Sequence, residues 1–115
     1  MDKVGSERVR INYDTANVIF YGHVDPVQDL EACVRDVSYL HIKDKAGADD
    51  EWNFPAPGKG KIDFDGIFDT LKRAGNDSPF SVEIEFTAQG PGSLQEVDQA
   101  VRDSAAFFRD KGFQL

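Results

Sequence analysis

Three short segments of this chain alternate apolar and polar residues with the two-residue period of a β-strand, and a helical stretch follows each. In residues 8–14, Val9, Ile11 and Tyr13 oppose Arg10, Asn12 and Asp14. In 38–43, Leu40 and Ile42 oppose Tyr39, His41 and Lys43; in 80–86, Val82, Ile84 and Phe86 oppose Ser81, Glu83 and Glu85. Strands alternating with helices predict right-handed βαβ crossovers and a parallel sheet in an α/β fold. A parallel sheet is normally apolar on both faces, because helices cover both. Here one face of each strand carries charge. Burying Asp14, His41, Glu83 and Glu85 without partners costs several kcal/mol per charge, so that face needs water or a cation.

The helices are marked by their ends. Asp25-Pro26 predicts an N-cap and first position, followed by Val27, Leu30, Val34 and Val37 at helical spacing. Residues 64–74 predict a second helix, with Ile67, Phe68 and Leu71 as its stripe and Gly75 just past its end. Ser93 with Glu96 forms a capping box for the last helix, whose buried face is expected at Val97, Val101, Ala105 and Phe108. Residues 44–62 read as one long loop holding Trp52 and the run Pro55 to Gly60. Three helices cover one face of three strands and leave the polar face bare. A polar face of this kind fits a barrel lumen, and in a (β/α)8 barrel function collects at the C-terminal strand ends. Asp14, His41, Glu83 and Glu85 all fall near those ends.

The 115 residues suffice for one domain, 1–115. A net charge of -8, with 13 basic against 21 acidic residues, argues against a nucleic-acid partner. No apolar run reaches membrane-spanning length, and the first residues lack the apolar core of a secretory signal. The single cysteine, Cys33, excludes an internal disulfide and fits a reducing, cytoplasmic setting; it lies near a helical stripe and reads as a core thiol.

One Asp, one His and one Glu from neighbouring strands make a plausible metal shell. Oxygen-rich donors with one imidazole suit Mn, Mg or Co, with Zn also within range. The plain alternative is a solvated face with an Asp–His hydrogen bond.

Four segments carry a family resemblance. Tyr13-Asp14-Thr15-Ala16-Asn17, Leu40-His41-Ile42-Lys43-Asp44, Pro57-Gly58-Lys59-Gly60-Lys61-Ile62-Asp63-Phe64 and Pro79-Phe80-Ser81-Val82-Glu83-Ile84-Glu85 stand in order and at matching gaps. Together they resemble the sugar-phosphate isomerases/epimerases of the xylose isomerase-like superfamily. The resemblance implies a TIM barrel whose last strands hold a divalent metal through Glu, Asp, His and Glu. Asp14, His41 and Glu83 match the last three ligands, with Glu85 as the alternate to Glu83. The strand of the first glutamate would precede residue 1, so a C-terminal barrel fragment of about three β/α units is expected. In the family two glutamates flank the substrate and exchange a proton next to a carbonyl; Glu83 matches one of them and is the expected catalytic residue. The implied substrate is a sugar, sugar phosphate or inositol derivative. An apurinic endonuclease-like role is disfavoured by the acidic balance and by Asn17, where those nucleases would place a histidine.

Other residues admit two readings each. Asn17 matches a substrate-contacting position or caps a loop. Lys43 and Asp44 either orient substrate or His41, or form a surface ion pair. Trp52 and Phe54 either close over a sugar ring or pack within their own loop. Lys59 and Lys61 either meet a phosphate or are solvated, and His23 is expected at the surface. A chain with bare barrel edges is expected to be a homo-oligomer, to pair with a complementing N-terminal barrel chain, or to be marginally stable alone. A non-catalytic fragment that binds such a partner is the competing functional reading.

Overall fold

The computed structural model of the protein describes residues 8–114. Residues 1–7, read above as part of a start lacking a secretory signal, lie outside that range. Strands β1 (Ile11–Asp14), β2 (Val37–Ile42) and β4 (Phe80–Val82) form a parallel sheet in the order β1-β2-β4. The helices are α1 (Asn17–Gly22), α2 (Pro26–Cys33), α3 (Phe64–Arg73) and α4 (Leu94–Asp110). A 3-10 turn, Val34–Asp36, joins α2 to β2. Two further short strands, β3 (Asn53–Phe54) and β5 (Phe86–Thr87), pair antiparallel.

Helix starts follow the expected chemistry. Asp25 accepts the Val27 amide ahead of Pro26, and Asp63 accepts the Gly66 amide at the head of α3. Ser93 accepts the Glu96 amide at 3.1 Å, while the Glu96 carboxylate takes the Gly92 amide. Gly75 has φ 66°, the left-handed turn that ends α3.

The apolar face of the sheet supplies Tyr13, Leu40 and Ile42 to the core, which Leu30, Val34, Ile67, Leu71 and Phe108 complete from the helices. Leu30, Leu40, Ile42 and Ile67 are wholly excluded from solvent. Each such side chain contributes about 1.5–3 kcal/mol through burial. Cys33 packs against this core as expected, and burial first, then Asp29, pushes its thiol pKa up.

Several expectations change. The helical spacing carried the first stripe on to Val34 and Val37, but α2 ends at Cys33, Val34 lies in the 3-10 turn and Val37 opens β2. β1 begins at Ile11; Arg10, just before it, sends its guanidinium to the Asp36 and Arg35 carbonyls. Residues 17–22 form α1 where a connection was expected. The third strand leaves the parallel ladder after Val82; Phe86 then takes φ 58° and the chain runs into β5 against the long loop. In α4 the buried residues are Ala100, Ser104 and Phe108, whereas Val101 is 58% exposed. Val97, Val101 and Ala105 instead line an open apolar groove with Val82, Ile84 and Phe86.

Candidate metal centre

Asp14 closes β1 and divides its two oxygens between structure and site. Oδ1 accepts the amides of Ala16 and Asn17 at 3.0 and 2.9 Å, which starts α1. Oδ2 faces His41 Nδ1 at 3.8 Å and Lys43 Nζ at 3.7 Å. His41 stands in register with Asp14 on one side and Ser81 on the other, so all three share the face opposite the core. Glu83 lies just beyond β4. Its amide still donates to the Ile42 carbonyl at 3.0 Å, which keeps its side chain on that face, and Glu83 Oε2 touches His41 Nδ1.

One donor atom each from Asp14, His41 and Glu83 lie within 4.8 Å of one another. Bonds of about 2.0–2.2 Å set donors around a transition-metal ion about 3–4.5 Å apart, so the cluster fits such an ion after a small parting of His41 and Glu83. Two carboxylates and one imidazole are the donor chemistry of Mn, Co or Zn. The side chains of His41 and Glu83 are each about one-third exposed and that of Asp14 is 12% exposed, so the site has access from outside.

Lys43 is the centre of the surrounding network. Its side chain is 3% exposed, and Nζ lies 3.0 Å from Glu85 Oε1, 3.2 Å from Asn17 Oδ1, 3.6 Å from Glu83 Oε1 and 4.5 Å above the Phe54 ring. Its backbone is held by Thr15, whose hydroxyl donates to the Lys43 carbonyl at 2.7 Å and accepts its amide at 3.0 Å. Glu85 Oε2 is buried and has no hydrogen-bond partner among the described residues. The structure thus gathers Asp14, Asn17, His41, Lys43, Glu83 and Glu85 at one place.

Asp44 lies elsewhere, and not in a surface ion pair. It is 0% exposed. Its carboxylate accepts the amides of Lys45, Gly58, Gly60 and Ile62 at 2.8 to 3.2 Å. The amides of the glycine-rich loop, read above as a phosphate contact, are taken by this internal anion. Lys61 is engaged by Asp49 and the Gly47 carbonyl, while Lys59 is exposed. Lys45, also 0% exposed, donates to the carbonyls of Ala46 and Ala48. Burial, then Lys61, lowers its ammonium pKa.

Trp52 and Phe54 sit edge-to-face, and both meet Phe20 of α1. Phe54 is 1% exposed and Trp52 39%, so one packs beneath Lys43 while the other keeps a free surface. Sequence reasoning missed Thr15 and Phe20. Thr15 lay inside a quoted motif, but its bridge to Lys43 spans two strands; Phe20 gave no signal because α1 itself was unexpected. His23 is exposed at the end of α1, 3.7 Å from Asp49.

The xylose isomerase-like TIM barrel family matches residues 1–111. This chain belongs to that family. It is 29% identical to an inosose dehydratase of Geobacillus thermodenitrificans over 122 residues, which cover 89% of the chain and 38% of that protein. The structure of a xylose isomerase domain protein from Planctomyces limnophilus superposes with a TM-score of 0.74 at 26% identity, over 96% of this chain and 39% of that one. The IOLI protein, solved with a bound zinc atom, gives the same TM-score of 0.74 at 20% identity, over 99% of this chain and 42% of that one. At that identity the likeness to IOLI is one of fold. The chain spans about two-fifths of each relative, matching part of the family's barrel. Among the described residues no helix is long and apolar enough to cross a membrane.

Proposed function

We propose that this chain carries the divalent-metal half of a sugar-modifying active site, with Asp14, His41 and Glu83 as metal donors. The supporting observation is their convergence, donor atoms within 4.8 Å, from three adjacent parallel segments. A bound Mn, Mg, Co or Zn ion would supply polarisation of the oxygens beside the reacting carbon. Glu83 presents Oε2 to His41 and leaves Oε1 toward Lys43. It serves both as ligand and as the carboxylate that exchanges a proton with the carbon next to a carbonyl. Isomerisation, epimerisation and dehydration of a hydroxy-ketone all begin by removing that proton, so an epimerase, an isomerase and an inosose dehydratase make the same demand on it. Asn17 orients substrate oxygens, held by its hydrogen bond from Lys43, and the free surface of Trp52 meets the ring of a sugar, sugar phosphate or inositol derivative.

Both outer strands, β1 and β4, end the parallel sheet. A closed barrel of the family needs more strands, contributed by a longer chain, a complementing polypeptide or further copies of this one. Turnover is accordingly assigned to the closed assembly and metal capture to this chain. Calorimetric titration of the 115-residue chain with Mn2+ tests the reading. One ion per chain is expected, lost in Asp14→Ala and His41→Ala; equal binding by those variants would refute it.

A further inference from the structure

Two glutamates one residue apart face the same cluster, yet the structure treats them differently. Glu83 touches His41 and belongs to the donor triad, whereas Glu85 is drawn to the other side by Lys43 at 3.0 Å. Lys43 has little freedom to do anything else. Its backbone is clamped by Thr15, its ammonium is hydrogen-bonded to Asn17, and its side chain is packed over Phe54. A buried ammonium needs compensating anions. Asp14, Glu83 and Glu85 all lie within 3.7 Å of Nζ. Three carboxylates against one ammonium leave two formal negative charges, which one divalent ion balances.

We infer that Lys43 is a positioning residue: a tethered cation that pins Glu85 outside the ion's ligand set and so reserves the third donor position for Glu83. The inference rests on the metal-binding reading given above and deepens it. Glu85 Oε2 has no hydrogen-bond partner among the described residues, so Lys43 is the only ion-pair partner found for this carboxylate there. Without Lys43, Glu85 would hold two uncompensated oxygens beside a divalent ion, and the ion would recruit them. The device gives the centre one defined ligand set in place of two competing ones.

A double-mutant cycle on the full chain, read by Mn2+ titration, isolates the effect. With Lys43 present, E83Q is expected to weaken Mn2+ binding about 100-fold and E85Q less than about 10-fold, the smaller loss being one of nearby charge. In the K43M background, the loss caused by E85Q is expected to grow by about 10-fold or more, because Glu85 has become a ligand. Lys43 and Glu85 are in contact, so their effects on affinity couple whatever the ligand set. An unchanged E85Q loss would exclude recruitment of Glu85, and a larger one is assigned to ligation only with a matching change in the Co2+ spectrum. Visible absorption of the Co2+-loaded chain gives a second readout: K43M should alter the spectrum, K43M/E85Q should restore it, and K43R should leave it unaltered. If K43M does not fold, the same cycle is run with K43Q, which keeps a polar side chain of similar reach for Asn17 and Glu85 and removes only the charge. Equal losses for E83Q and E85Q, or an E85Q loss unchanged by K43M, would overturn the role of Lys43 and leave the metal centre standing. No Mn2+ bound by the unaltered chain would overturn both.

Discussion

Gly60 donates its amide to Asp44 Oδ2 at 2.9 Å, and a β-carbon at position 60 would collide with that carboxylate and with the Lys45 carbonyl. The residue that follows the site lysine is therefore the fastening of the long loop. Asp44 holds the loop, and the loop presents Phe54 beneath Lys43 and Trp52 beside Phe20. An internal carboxylate in a ring of backbone amides is a strong set of charge-assisted hydrogen bonds.

Asp44→Ala is expected to destabilise the chain by about 3–5 kcal/mol, since four amides lose their acceptor in a buried place. Gly60→Ala should also be costly, because the colliding atoms include fixed backbone. Asp44→Asn, which keeps one acceptor oxygen, should lie between Asp44→Ala and the unaltered chain. Urea unfolding of the three variants checks the order.

Metal capture should also appear as stability. A ligand bound only by the folded state adds about 2.7 kcal/mol at 100 times its dissociation constant. Saturating Mn2+ is expected to raise the melting temperature of the unaltered chain, and a chelator to reverse the rise. His41→Ala should melt at the same temperature with and without Mn2+. A rise that persists in that variant would place the ion elsewhere.

Much of this site was legible in sequence because its signals are local. The strand period put Asp14, His41, Glu83 and Glu85 on one face, and that holds even though β4 ends at Val82, since the Glu83 amide keeps its bond to Ile42. What pattern could not separate was Glu83 from Glu85, because the two share parity. A cross-strand ammonium distinguishes them. Asp44 was illegible for a related reason: its partners lie 14 to 18 residues downstream, in a loop whose path no periodicity describes.

Tyr13 gives a pH signature. Its hydroxyl donates to Asp29 Oδ2 at 2.9 Å, and burial first, then Asp29, raises its pKa far above the ordinary 10.0. The unfolded chain releases this proton near its ordinary value, while the folded chain retains it. Stability from this group is thus complete below pH 10.0 and falls above it, by up to about 1.4 kcal/mol per pH unit. Lys45 acts oppositely in the alkaline range, because the unfolded chain holds that proton longer. Comparing urea midpoints of Tyr13→Phe and the unaltered chain at rising pH isolates Tyr13. The variant should start about 1 kcal/mol less stable and lose the alkaline decline assigned to the phenol.

Helix α4 offers the sharpest contrast between sequence pattern and packing. Val101 and Phe108 belong to one apolar stripe by spacing, yet Val101 is 58% exposed and Phe108 3%. Phe108 stacks among Phe68, Phe80 and Phe113, so Phe108→Ala removes a ring from a closed cluster and should cost about 3–5 kcal/mol. Val101 lines the open groove with Val82 and Ile84, where a charge stays in water. Val101→Glu is expected to change the stability of the isolated chain by less than about 0.5 kcal/mol. Denaturant unfolding of the two variants decides whether α4 packs through Ala100, Ser104 and Phe108, as the structure has it, or through the valine stripe. A Val101→Glu loss comparable to that of Phe108→Ala would mean the groove is closed in solution.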